Sequence, residues 1–97
     1  MPKRSDVIVI NEKDNVATAL KLLGAGAEVL VEVHGTARKI TILSEIPMGH
    51  KFALKDLEEG DPVIKYGEAI GQSRLRIIRG EHVHVHNVVS RPEESLS

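Results

Sequence analysis

Gly80-Glu81-His82-Val83-His84-Val85-His86-Asn87 is the stretch on which the reading of the fold turns. Three histidines recur at a spacing of two, with valines between them. In an extended strand, residues i, i+2 and i+4 line one face. His82, His84 and His86 are therefore expected to project together, while Val83 and Val85 enter a core. Alternate Cα atoms of a strand stand roughly 6.5–7 Å apart, so two imidazoles can lean toward one metal ion or substrate oxygen. The plainer reading of the same row is a polar outer face on a half-buried strand.

The rest of the chain agrees with strands. Val29, Val31 and Val33 alternate with Glu28, Leu30 and Glu32, and Ile40 and Ile42 share one face of the next segment. Residues 7–10 form a short apolar run, and further strands are expected at 63–66, 75–78 and 82–89. One helix is expected, over residues 14–23. Asp14 or Asn15 would cap it, Val16, Ala17, Leu20, Leu22 and Leu23 would supply its stripe, and Gly24 and Gly26 would end it. Residues 55–59 fit a single further helical turn. Short strands punctuated by Gly and Pro imply a mainly β domain with one short N-terminal helix, spanning residues 1–89 and followed by a polar tail, 90–97. No strict repeat is evident, although Gly60-Asp61-Pro62-Val63 and Gly80-Glu81-His82-Val83 share a loose outline.

Ninety-seven residues make one domain with a modest core. Phe52 and Tyr66 are its only aromatics beside the histidines, so the core is aliphatic and leaves little room for an enclosed ligand. A site on such a domain is more naturally a surface shared with another chain. The formal net charge of −1 lacks the basic excess of a nucleic-acid binder. The absence of cysteine excludes disulfides, thiolate catalysis and cysteine-ligated zinc. No apolar run approaches the length of a membrane span, and the opening Met1-Pro2-Lys3-Arg4-Ser5-Asp6 has no signal-peptide character. A cytoplasmic domain is expected.

An ordered series of motifs narrows the reading further. Ile46-Pro47-Met48-Gly49-His50-Lys51-Phe52-Ala53-Leu54 is followed by Gly60-Asp61-Pro62-Val63-Ile64-Lys65-Tyr66-Gly67 and Ile70-Gly71. Gly80-Glu81 and Val83-His84-Val85-His86-Asn87 complete it. Together these resemble the small N-terminal domain of altronate and galactarate dehydratases, and the small subunit of sulfolactate sulfo-lyase is similar. The resemblance covers roughly residues 7–89 and implies a SAF domain with a β-clip fold. In this family the domain is either fused to a large catalytic domain or made as a separate small subunit. The chain's extent points to the separate arrangement.

The resemblance also implies chemistry. Family members dehydrate a sugar acid with the help of a divalent cation, Fe²⁺ or Mn²⁺ ahead of Mg²⁺. Its motifs single out His50, His84, His86 and Asn87; His50, His84 and His86 are expected to be catalytic, His84 and His86 to ligate the metal, and Lys51, Tyr66 and Asn87 to contact substrate. His82 departs from the family pattern and is set lower, while His34 in the Val33-His34-Gly35 turn reads as an ordinary exposed residue. Arg74 and Arg76 project from one face and read first as a solvated surface. The partner implied is a large catalytic subunit, without which the chain is expected to be inactive. Competing readings are a sulfolactate sulfo-lyase small subunit, a non-catalytic carbohydrate-binding or assembly module, and an independent cupin-like metalloenzyme. The last is disfavoured because no acidic ligand or distant fourth histidine falls in cupin order.

Overall fold

The computed structural model describes residues 6–33 and 35–90. Among the described residues nine strands follow one another: β1 (Val7–Ile8), β2 (Val16–Ala19), β3 (Glu28–Val33), β4 (Thr36–Thr41), β5 (Lys51–Ala53), β6 (Pro62–Lys65), β7 (Glu68–Ser73), β8 (His82–Val83) and β9 (Val88–Ser90). They form a four-stranded sheet β1-β2-β5-β8, a hairpin β3-β4 and a three-stranded sheet β6-β7-β9. Every pairing between these strands is antiparallel. Ser90, expected in the tail, is the last residue of β9; residues 91–97 and His34 lie outside the described residues.

The expected helix over residues 14–23 is not there. That segment contains β2, hydrogen-bonded between β1 and β5. The reason is burial on both faces. Val16 pairs with Ala53 and both enter one core, with Leu57, Val63, Ile77 and Val83. Ala17 pairs with Phe52 and both enter the other, with Val29, Val31, Ile40, Ile42 and Ile46. A strand between two cores carries no polar alternation, so its continuous apolar run mimics a buried helix. Asp14 and Asn15 cap no helix. The Asp14 carboxylate accepts the backbone N–H groups of Asn11 and Gly67, at 3.1 and 2.8 Å. Asn15 donates from its amide to the Pro62 carbonyl and accepts from the Ile64 N–H, fastening β6 to the start of β2. The helical turn expected at 55–59 is also absent: Leu57 bridges to Ile77 and a tight turn follows.

The backbone holds an internal repeat that the side chains conceal. Leu23 and Ile46 exchange both backbone hydrogen bonds, and so do Leu57 and Ile77. Each of these four residues leads into a four-residue turn, at 24–27, 47–50, 58–61 and 78–81. In each turn the fourth N–H donates to the first carbonyl, and the third residue is a glycine with φ between 87° and 93°. This is the pattern of a type II turn, whose third residue must adopt positive φ. One copy therefore runs β2–turn–β3–β4–turn–β5, and the next β5–turn–β6–β7–turn–β8, with β5 common to both. Asp61 and Glu81 each turn a carboxylate back onto the first N–H of their own turn, Glu58 and Ile78, at 2.8 and 2.7 Å. The loose likeness between Gly60-Asp61 and Gly80-Glu81 is this capped turn.

Candidate functional site

The pairing of β5 with β8 assembles the site. Lys51 pairs with Val83 and Phe52 with His82. One step beyond Lys51 and Val83 along each strand lie His50 and His84, which therefore face each other. Their rings stack with centroids 4.1 Å apart. His82 completes the group: its ring lies 5.0 Å from that of His50 and 5.4 Å from that of His84. His50 Nδ1 and His82 Nε2 are 2.8 Å apart, one donating a proton and the other accepting. One ring nitrogen from each of His50, His82 and His84 lies within 4.8 Å of the others.

The expected straight row of histidines is therefore bent. β8 ends at Val83, and residues 84–87 form a turn closed by the Asn87 N–H donating to the His84 carbonyl. Val83 is fully buried as expected, but Val85, expected beside it, is 76% exposed. The turn swings His86 back so that its ring packs on His82 at 5.1 Å. His84 and His86, expected as a ligand pair, thus meet the group differently: His84 inside the trio and His86 against its flank. His82, set lower on the family comparison, sits at the centre. Its signal was present in the period-two spacing itself.

Asn87, expected to touch substrate, is buried and fully engaged with backbone. Its side-chain oxygen accepts the His84 N–H at 2.9 Å, and its amide donates to the His82 carbonyl at 2.8 Å. It shapes the histidine turn. Lys51 is half-buried at the start of β5. Burial, and then the nearby Lys65 ammonium, hold it below the usual lysine range. Tyr66 is exposed at a positive φ of 57°, with the Lys65 ammonium 4.7 Å from its ring centroid. Arg76 is engaged within the chain, pairing with Asp56 and Glu58 at 3.5 and 3.3 Å.

The electrostatics favour the neutral imidazole at His82 and at His84. Burial first, then the imidazoles of His86, His50 and His84 and the Lys51 ammonium, lower the pKa of His82. Burial first, then His50, Lys51 and His86, lower that of His84. No carboxylate belongs to the group of ring nitrogens gathered here. Neutral imidazoles can accept a proton, donate one from the second nitrogen, or ligate a metal. A donor set of nitrogens suits first-row transition ions such as Fe²⁺ and fits Mg²⁺ poorly, because Mg²⁺ prefers oxygen. The hollow beside the imidazoles, between Lys51, Ile70, His84, Val85 and Val88, holds only about 160 Å³. A larger one of about 390 Å³, among Asp14, Val31, Arg38, Ile40 and Lys55, includes none of the histidines. Pockets that enclose a small ligand run to roughly 300–1,000 Å³, so the imidazole face lacks walls of its own.

Among the described residues no helix is long and apolar enough to cross a membrane. Over 80 residues, 82% of its length, the chain is 45% identical to altronate dehydratase of Escherichia coli and 39% identical to that of Bacillus subtilis. It spans only 15% of each of those proteins. It is also 51% identical, over 49 residues, to (2R)-sulfolactate sulfo-lyase subunit alpha of Paracoccus pantotrophus, matching 50% of this chain and 73% of that subunit. Residues 5–91 match the altronate/galactarate dehydratase SAF domain family, and the chain belongs to that family.

Proposed function

We propose that this chain is the SAF component of a metal-dependent lyase that dehydrates a sugar acid, lending its imidazoles to an active site completed by a large catalytic partner. The observation that carries this reading is the cluster of imidazoles on the β5–β8 edge, flanked by Lys51, in a chain so similar to a segment of two altronate dehydratases. Dehydration requires loss of a weakly acidic proton α to a carboxylate and departure of a β-hydroxyl. A bound divalent cation would stabilise the enediolate that develops after proton loss. His50, His84 and His86 would each either help to hold that cation or move a proton, the two tasks open to an imidazole at neutral pH. Lys51 and Tyr66 contact the anionic substrate, and Asn87 acts through the turn it holds. The shallow face accounts for a shared site, because excluding water and fixing both reacting groups needs walls on several sides.

The match to sulfo-lyase alpha subunits gives a second reading: a small subunit whose substrate carries a sulfonate in place of the leaving hydroxyl. The same imidazole and lysine face serves an anionic β-substituted acid in either case. The decisive experiment mixes the chain with its large partner and assays altronate, galactarate and sulfolactate with Fe²⁺, Mn²⁺ or Mg²⁺. Turnover is expected only in the mixture. Replacing His84 and His86 together by Ala should cut it at least about a hundredfold while leaving the chain folded. Full activity in that variant would leave a non-catalytic assembly or carbohydrate-binding module as the reading. Turnover by the chain alone would overturn the shared site.

A further inference from the structure

We propose that His50, His82 and His84 bind one divalent first-row transition-metal ion, and that this chain does so without any partner. The inference goes beyond the proposed function, which asks only for imidazoles at a shared surface, and it holds whatever the substrate.

Three observations carry it. First, the donors converge at the ends of two adjacent strands fixed in register, and one ring nitrogen from each already lies within 4.8 Å of the others. Two nitrogens bound tetrahedrally to one ion stand about 3.4 Å apart, given metal–nitrogen bonds of about 2.0–2.1 Å. His50 Nδ1 and His82 Nε2, at 2.8 Å, need to separate by only about half an ångström. Second, the rings have room for that adjustment. All three are partly exposed, so each can rotate about its terminal torsion out of the present stack. Binding replaces the one N–H···N contact, and the tautomeric proton moves to the outer nitrogen.

Third, the scaffold behind the donors is built to hold them. Asn87 ties the backbone on both sides of Val83, and the Ser44 hydroxyl accepts the His82 N–H at 3.2 Å. The turns at 47–50 and 78–81 set the starts of β5 and β8. Three protein ligands leave coordination positions open, as catalytic metal sites do. Lys51 opposes the cation but favours an anionic group, such as a carboxylate, in an open position. His86 packs on His82 from outside the trio and is not a ligand in this assignment.

The test is a titration of the full 97-residue chain with Zn²⁺ and Co²⁺, followed by calorimetry and by the visible absorption of bound Co²⁺. Saturable one-to-one binding is expected at micromolar protein, with Mg²⁺ failing to compete. His50→Gln, His82→Gln and His84→Gln should each weaken binding at least about tenfold, and His86→Gln less than about threefold. Should a variant fail to fold, imidazole nitrogen resonances of the unmodified chain decide instead: Zn²⁺ must shift His50, His82 and His84. Absence of saturable binding overturns the proposal. So does equal loss in His86→Gln and His82→Gln, or a shift confined to His84 and His86. No substrate or partner enters the titration, so its failure and that of the lyase reading are separate results.

Discussion

The two copies of the repeat use one backbone device, and the side-chain difference that matters most lies at the residue after each turn glycine. In the second copy that residue is Asp61 or Glu81, and its carboxylate caps the first N–H of the turn. In the first copy it is Ala27 or His50. The turn at 47–50 begins with Pro47, which has no N–H to cap. Proline thus releases the post-glycine position from structural duty, and His50 spends its side chain on the imidazole cluster. A functional residue occupies a place where its sister position carries a brace.

The sharpest challenge to this comparison is at the glycines. Gly49 and Gly80 hold equivalent positive φ, but a Cβ on Gly49 would meet open space. One on Gly80 would strike the Thr41 carbonyl oxygen. Gly80→Ala should therefore cost about 3 kcal/mol or more, combining backbone strain with overpacking, and Gly49→Ala only about 1–2 kcal/mol. Chemical denaturation of the two variants measures the gap; equal losses would mean the turns are not braced differently.

Smaller effects are expected at the post-glycine residues. Asp61→Ala and Glu81→Ala should each cost about 1 kcal/mol through the lost cap. His50→Ala should change stability by only about 0.5 kcal/mol, because it caps nothing. A thermal shift for His50→Ala as large as that for Glu81→Ala would refute the division of labour. Pro47→Ala restores an uncapped N–H and frees the unfolded chain, for an expected loss of about 0.4–1 kcal/mol.

The mildest test uses pH. The folded chain lowers the pKa of His82 and His84, so the unfolded chain binds their protons more readily. Stability from this source is intact above the ordinary histidine value of 6.5 and declines as pH falls through it toward the folded values. Denaturation midpoints measured from pH 7.5 down to pH 5 should fall in the parent chain. They should fall less steeply in the double variant His82→Gln, His84→Gln.

Much of the sheet was legible because only one face of it is wet. Val29 and Val31 alternate with exposed Glu28 and Glu32 along β3, and that alternation is visible in the letters. β2 was illegible because both its faces are dry. The repeat escaped notice because only its bridge residues and glycines persist: Leu23 with Leu57, Ile46 with Ile77. The histidines announced themselves as a group, yet their partition into a trio and a flank depends on the register of β5 against β8. His50 and His82 are 32 residues apart, and no local pattern encodes that contact. The turn after Val83 was equally hidden, because Val85 reads as a core residue until Asn87 is seen to fold the chain back.

The shared strand has a consequence for how the domain comes apart. Phe52 lies in one core and Ala53 in the other, and the Ala53 amide is bonded to the Glu81 carbonyl across the sheet. Losing either core strips β5 of one face, so neither copy can open while the other stays closed. The chain should melt as one unit, with the Phe52 and Ala53 amides among the last to exchange with solvent. His50 borders that strand, so the imidazole cluster keeps its arrangement for as long as β5 stays paired with β8.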